Sequence, residues 1–227
     1  MSTDPTVCAL LGASNGRLGA AVAKQTRQPN QVVVVTDTLA RALEEVRTRE
    51  ADWIWLLEGS VTPRPDALQS LLEVLDRIRG LPDPAVLAGV VRTPGGALDT
   101  SRLPWYRRGA LDLALAAASA RVLPIRATGG PALVSRAAFE ADLPRDAGPP
   151  SPAAVLTLTA HLLRFRAGYL VPESEYDAPA VPPDPLSDPR TAARLVLSGA
   201  VVGGDRIRVV HELVERLGTR FAERRRG

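Results

Sequence analysis

Short apolar runs alternate with amphipathic segments along the first half of the chain. Four runs of consecutive apolar residues are predicted to be strands, namely residues 7–11, 32–35, 53–57 and 86–91. Apolar, often β-branched side chains at every position are typical of strands that are covered on both faces of a parallel sheet. The segments between these runs have helical length and spacing. The order therefore predicts an α/β domain whose four strands are neighbours and mostly parallel.

The pattern changes after residue 92. We predict helices at residues 105–120, 136–141 and 153–166, and short strands at residues 122–125, 132–135 and 169–171. Six prolines and five acidic residues crowd residues 172–189, which indicates a linker or a wrapping arm. We therefore expect one α/β domain over residues 1–182, followed over residues 183–227 by a Pro-rich connection and a helical tail.

The tail carries a seam of apolar residues at alternating steps of three and four. Its members are Ile207, Val210, Val214, Leu217 and Phe221. Such a seam indicates a helix that packs on another surface. We expect it to pack on its own domain or on a second copy, which would make a homodimer. The arginines at 224–226 would favour an anionic membrane face.

Composition narrows the classes of function. The 28 basic and 25 acidic residues give a net charge of +3, so no nucleic-acid partner is expected. The single cysteine excludes an internal disulfide, and the two histidines are too far apart to be a metal-ligand pair. No apolar run reaches the roughly 18–20 residues of a membrane span. We expect a cytoplasmic protein, peripheral to the membrane if the tail arginines bind lipid.

A glycine-rich turn follows the first predicted strand and opens a helix. Residues 12–19, Gly-Ala-Ser-Asn-Gly-Arg-Leu-Gly, resemble the turn of short-chain dehydrogenases, in which a pyrophosphate lies on a helix N-terminus. Asn15 in this turn and Asp37 after the second strand are candidate nucleotide contacts. A dinucleotide-binding oxidoreductase is therefore one alternative. That family uses a Tyr and a Lys four residues apart, and the only lysine here, Lys24, has no such Tyr.

Three later segments resemble family 2 glycosyltransferases of the GT-A fold, in the order of that family. They are residues 51–68 (ADWIWLLEGSVTPRPDAL), residues 129–139 (GGPALVSRAAF) and residues 163–169 (LRFRAGY). In the family the first segment is a buried strand that ends in an acidic triplet, the second lines the donor and acceptor pocket, and the third follows a catalytic acidic helix. The resemblance covers about residues 6–172.

The resemblance implies a fold, a reaction and a set of site residues. The fold would be a three-layer α/β/α sandwich of the GT-A type with a C-terminal helical extension. The reaction would move a sugar from a nucleotide-diphosphate donor to an acceptor hydroxyl, on a glycan or another acceptor. The donor would contact Asn15, Asp37, Glu58 and Ser60. Trp105, Gly129 and Gly130 are candidates for the acceptor side, because an aromatic ring can stack on a sugar.

The departures from the family concern its catalytic groups. The family holds Mg²⁺ or Mn²⁺ on the acidic triplet, but here the triplet is Glu58-Gly59-Ser60, so Glu58 is the only carboxylate left for a metal. The helix segment 156–159 has no carboxylate, which leaves His161 as the candidate base. Arg17, Arg107, Arg108 or Arg126 could instead clamp a diphosphate. The alternative is a non-catalytic homologue that binds a nucleotide, a glycan or a protein partner.

Overall fold

The computed structural model describes residues 4–12, 16–99, 102, 121–141, 151–179 and 193. Its strands are β1 (Val7–Gly12), β2 (Gln31–Val35), β3 (Trp53–Leu57), β4 (Thr62–Pro63), β5 (Pro84–Arg92), β6 (Leu123–Pro124), β7 (Ala132–Ser135) and β8 (Ala167–Asp177). Its helices are α1 (Arg17–Ala23), α2 (Leu39–Arg47), α3 (Ala67–Arg77), α4 (Arg136–Ala141) and α5 (Pro152–Leu162).

All the strands of this part of the chain belong to one mixed sheet. Their order is β2-β1-β3-β7-β5-β8-β4, and β6 pairs with β8 outside that path. The predicted strands β1, β2, β3 and β5 are parallel to one another, as expected. The prediction that all four are neighbours is wrong, because β7 lies between β3 and β5 and is antiparallel to both.

Helices cover both faces of the sheet, and the sheet separates the core into two clusters. On one face, Leu39, Leu43 and Val46 of α2 share a cluster with Leu158 and Leu162 of α5. On the other face, the buried side chains of α1 and α3 share a second cluster with alternate residues of the strands. Adjacent strand residues point to opposite faces, so strands with apolar residues at every position serve both clusters. The three-layer α/β/α arrangement is confirmed.

Strand β8 is longer than the sequence pattern predicts, and its central part bulges. Its pairing with β5 runs from Pro84 opposite Ala167 to Arg92 opposite Asp177, with an irregularity between Ala88 and Val90. The predicted linker over residues 172–189 is therefore wrong for its first residues. Proline is tolerated at such a bulge, because no ladder hydrogen bond from its nitrogen is required there.

The bulge brings a polar network into the core beside β3. Trp55 Nε1 donates a hydrogen bond to the Tyr176 hydroxyl at 3.0 Å, and Ser174 Oγ donates to the carbonyl oxygen of Ala67 at 2.9 Å. Burial raises the pKa of Tyr176 far above its ordinary value. Gly89 lies against this network, since a Cβ there would be 2.2 Å from Tyr176 Cε2. Only glycine fits at this point of β5.

The first strand carries the only cysteine of the chain. Cys8 pairs with Gln31 of β2 on one side and with Ile54 of β3 on the other. Its side chain is fully buried, and burial raises the pKa of its thiol. This residue is therefore a small apolar member of the core.

Several expectations concern residues outside the described part of the chain. These are the helix at 105–120, most of the connection and tail over 183–227, and the apolar seam proposed for a homodimer. The boundary between residues 182 and 183 also lies outside the described ranges. No helix among the described residues is long and apolar enough to cross a bilayer.

The close approach at Gly89 yields the first prediction. Gly89→Ala should lower the free energy of unfolding by about 1–3 kcal/mol or more, because the new methyl group overlaps Tyr176 and the Ser174 carbonyl. Gly80→Ala is the matched control, since nothing lies within 4 Å of a Cβ there. Urea unfolding measures both variants. Equal stability of the two would contradict the packing described here.

Candidate functional site

The sequence candidates meet at one edge of the sheet. Strands β1, β2 and β3 are parallel, so the positions that follow them, including Asp37 and Glu58, lie at the same carboxyl edge. Because β7 is antiparallel to β3, the Gly129-Gly130 loop that precedes β7 lies at this edge too. The strand order reverses between β1 and β3. Open α/β sheets bind ligands at such a switch point.

Asp37 and Glu58 share this edge without touching each other. Strand β1 lies between β2 and β3, which separates the two strand ends by about 10 Å. The Asp37 side chain is exposed and forms an ion pair with Arg41, at 2.8 Å, in the first turn of α2. Thr38 caps the same helix by accepting from Arg41 N. Asn15 lies outside the described residues.

Glu58 belongs to a buried ion cluster with Ser60, Asp99 and Arg102. Arg102 Nη1 donates to Asp99 Oδ2 at 2.7 Å, and Nη2 donates to Ser60 Oγ at 2.7 Å. Nη2 is also 2.7 Å from Glu58 Oε1, in an ion pair that lacks the alignment of a hydrogen bond. The Arg102 side chain is 1% exposed and the Glu58 side chain 4%. One guanidinium thus serves two carboxylates away from water.

The burial of this ion cluster acts on the protonation of Glu58. Its described members include two carboxylates and one guanidinium. Burial raises the pKa of Glu58, and Arg102 and the hydrogen bond to Ser60 only partly oppose that shift, while Asp99 adds to it. Arg102 itself stays charged, because a guanidinium does not lose its proton in proteins. The positive charge of the cluster is therefore permanent, and Glu58 is the carboxylate whose ionised form burial disfavours.

The residues at this position do not fit a divalent metal ion. Mg²⁺ and Mn²⁺ prefer several oxygen ligands, and here the oxygens of Glu58 and Ser60 already face a cation of the chain. Among the described residues, no group of three or more His, Cys, Asp or Glu could hold a metal. No step that passes through a metal is derived from this site.

The Gly129-Gly130 loop is held by the helix that follows it in space. Thr159 Oγ1 of α5 accepts from Thr128 N at 2.9 Å and donates to Thr128 O at 2.8 Å. The loop also lies beside the ion cluster, because a side chain on Gly130 would be 3.7 Å from the carbonyl oxygen of Arg102. Both threonines are fully buried. A hydroxyl of this helix therefore fixes the loop.

His161 lies at the other end of the same helix. Helix α5 begins at Pro152, whose carbonyl oxygen is 3.2 Å from a Cβ built on Gly129. His161 is nine positions further on, about 14 Å along the axis. The next strand then begins at Ala167, opposite the start of β5, so the helix runs towards the amino edge. The structure does not bring His161 to the ion cluster.

Two of the residues in the ion cluster escaped the sequence analysis. Arg102 is one of 28 basic residues, and Asp99 follows a Pro-Gly-Gly turn in which no motif singles it out. The arginines considered instead lie elsewhere: Arg17 and Arg126 are exposed, while Arg107 and Arg108, like Trp105, lie outside the described residues. The sequence offered one signal for this cluster. Glu58 follows a predicted buried strand and has no basic residue in its triplet, and a buried carboxylate needs a cation.

The contacts of α5 predict unequal effects of two neighbouring threonines. Thr159→Val should cost about 1–3 kcal/mol of unfolding free energy, because it leaves the buried amide of Thr128 without an acceptor. Thr157→Val should cost less than about 0.5 kcal/mol, because the Thr157 hydroxyl bonds only to Ala153 O within the helix. Chemical denaturation of both variants tests this order, and a larger loss at Thr157 would refute it.

The raised pKa of Glu58 predicts a pH dependence. In the wild type, folding disfavours the ionised form of Glu58. The stabilising contribution of this side chain is therefore complete below its ordinary pKa of 4.5, and it is lost as pH rises through the raised pKa of the folded state. The stability of Glu58→Gln relative to the wild type should therefore increase as pH rises above 4.5. Unfolding at a series of pH values measures this difference in stability. Glu73→Gln, on the exposed face of α3, is the control for the loss of a carboxylate at the surface. A difference that falls with pH would contradict the assignment.

Comparison with known proteins identifies solved structures that share this fold. No protein-family model matches the sequence, and no curated protein matches it. The solved structure of GalNAc-T7 with UDP, GalNAc and Mn²⁺ is similar, with a TM-score of 0.53 and 12% identity over 91% of this chain. Residues 1–349 of TarS from S. aureus are similar alone (TM-score 0.50) and with UDP (TM-score 0.52), at 11% identity over 96% of this chain.

The shared part of these structures is the fold. The chain spans about half of the GalNAc-T7 structure, 49%, and 72% of the TarS structure. At 11–12% identity the likeness extends to the architecture and not to the chemistry. The expectation drawn from the three sequence segments is confirmed at that level: the chain has a GT-A-like α/β fold, that of glycosyltransferases.

Proposed function

We propose that this protein binds a nucleotide sugar at the carboxyl edge of its sheet and does not carry out metal-dependent sugar transfer. The observation that carries this proposal is the pairing of Glu58, the remaining triplet carboxylate, with the buried Arg102. The protein would be a glycosyltransferase-like binder, whose bound nucleotide or glycan serves recognition by a partner.

Nucleotide binding is supported by the fold and by the edge at which the candidates gather. GalNAc-T7 and TarS were solved with UDP, and the switch point between β1 and β3 is present here. Asp37 is exposed at that edge and its carboxylate can accept from ribose hydroxyls. The Gly129-Gly130 loop, fixed by Thr159, would form the wall on the acceptor side.

Two losses argue against metal-dependent transfer. A metal ion contributes several kcal/mol of transition-state stabilisation, and a general base contributes about 10²–10⁴ in rate. Glu58 is engaged by Arg102, and the described part of α5 offers no carboxylate near the Gly129-Gly130 loop. Together these losses amount to about five orders of magnitude or more. The dehydrogenase alternative has less support, because the lone lysine has no tyrosine partner.

A second candidate function is transfer without a metal. The specific observation in its favour is the permanent charge of Arg102, which stands beside the loop that follows β3. Because this guanidinium is 1% exposed and already paired, a diphosphate leaving group would have to displace Glu58 from it to be stabilised. In that case the acceptor would be a hydroxyl of a glycan or another molecule. Release of UDP from UDP-sugars in the presence of EDTA distinguishes this function from binding alone.

Calorimetry with UDP in EDTA tests the proposed binding. The wild type should bind UDP without a divalent ion, and Mn²⁺ should leave the affinity unchanged. Asp37→Asn should weaken binding about 10- to 100-fold, because a hydrogen bond to a charged group contributes about 1.5–3 kcal/mol.

The matched control is Asp76→Asn. Asp76 is exposed like Asp37, and it likewise pairs with an arginine close by in the chain, Arg79 at 2.7 Å. It lies at the far end of α3, so its replacement should leave UDP affinity unchanged. No binding of UDP or UDP-sugars by the wild type at millimolar concentration would refute the proposal, and equal effects of the two variants would remove Asp37 from the site.

A further inference from the structure

The guanidinium of Arg102 is surrounded by oxygens from two separate loops. Glu58 and Ser60 belong to the loop after β3, and Asp99 belongs to the turn after β5. We propose that Arg102 is the resident cation of this site: its guanidinium takes the position of a divalent ion and excludes that ion. The inference deepens the proposed function, on which it rests only for the identity of the ligand.

The position of the guanidinium follows from its contacts. Nη1 lies 2.7 Å from a carboxylate oxygen of Asp99, and Nη2 lies 2.7 Å from a carboxylate oxygen of Glu58. Nη2 also donates a hydrogen bond to the Ser60 hydroxyl. Glu58 and Ser60 are the first and third residues of the triplet that resembles the metal-binding one. The oxygens that would approach a metal therefore already converge on a positive charge.

A metal ion and this guanidinium cannot share the position. A divalent ion on Glu58 would lie within a few ångströms of a charge that cannot be neutralised by loss of a proton. The Arg102 side chain is 1% exposed, and Asp99 holds its other terminal nitrogen, so both ends of the guanidinium are engaged. The cation of this site is therefore supplied by the chain, and its occupancy does not depend on metal concentration.

The guanidinium also joins the two loops. The turn after β5 is set by the hydrogen bond from Asp99 N to Val91 O and by the bridge between Arg92 and Leu98. Arg102 connects this turn to Ser60, 42 residues earlier in the chain. A site preorganised in this way needs no metal to bring the loops together before a ligand binds.

Removal of Arg102 should create a metal site. Arg102→Ala leaves Glu58, Asp99 and Ser60 as three oxygen donors around the space that the guanidinium occupied. We expect Mn²⁺ at about 100 times its Kd to raise the melting temperature of this variant by about 5–10 °C. The wild type should show no such shift. Electron paramagnetic resonance of Mn²⁺ gives a direct measure of bound ion.

Three variants serve as controls. Arg102→Lys keeps a cation in place and should stay unresponsive to Mn²⁺. Arg77→Ala removes an arginine from an exposed pair with Glu173, so it should also show no response. The double variant Arg102→Ala/Glu58→Ala loses a ligand and should lose most of the Mn²⁺ shift. A response in Arg77→Ala equal to that of Arg102→Ala would overturn the inference.

A further variant keeps the test decisive if Arg102→Ala does not fold. Arg102→Ala/Asp99→Asn buries one fewer carboxylate and still offers Mn²⁺ three oxygens. A Mn²⁺ shift in this variant supports the inference, and its absence in a folded variant overturns it. Tight Mn²⁺ binding by the wild type would also overturn it. Since these readouts need no nucleotide, failure of UDP binding would leave them unaffected and would count only against the proposed function.

Discussion

One buried guanidinium determines what the carboxyl edge of this sheet can do. Arg102 holds two carboxylates and a hydroxyl at 2.7 Å, out of contact with water. Taking charges out of water is costly, and removal of one member of a buried pair costs about 3–5 kcal/mol in typical proteins. The buried charge of Arg102 needs the partners that Glu58 and Asp99 supply, and Arg102 stays charged because a guanidinium does not lose its proton in proteins. The loops after β3 and β5 are positioned by this mutual requirement.

The topology explains how residues so distant in sequence come together. Parallel strands β1, β2 and β3 deliver their following loops to one edge, and the antiparallel insertion of β7 delivers the Gly129-Gly130 loop to the same place. Helix α5 then starts beside that loop and holds it through Thr159. Thr159 is thus part of the scaffold that positions the loop. The chain has the GT-A-like architecture, and the described polar groups at this edge hold its loops in place.

The sequence pattern predicted the elements better than their pairing. Strands that are buried on both faces have apolar residues at every position, and this pattern predicted β1, β2, β3 and β5. The place of β7 between β3 and β5 depends on contacts some 80 residues apart, which no local pattern records. Pro172 suggested a linker because proline rarely lies inside a strand, yet it sits in the bulge of β8. Glu58 and the glycine loop could be found from motifs, whereas Arg102 could not, because its role is defined by partners far away in the chain.

The burial of Cys8 has a practical consequence. Its thiol lies in the core cluster that α2 and α5 cover, and burial raises its pKa, which favours the protonated form. A thiolate is the species that reacts with alkylating agents and oxidants. Modification of this sulfur therefore requires the packing on this face of the sheet to open, and because the chain has no other cysteine, thiol labelling reports on Cys8 alone. The rate at which a thiol reagent labels the protein therefore measures how often its core opens, and this measurement needs no ligand at the carboxyl edge of the sheet.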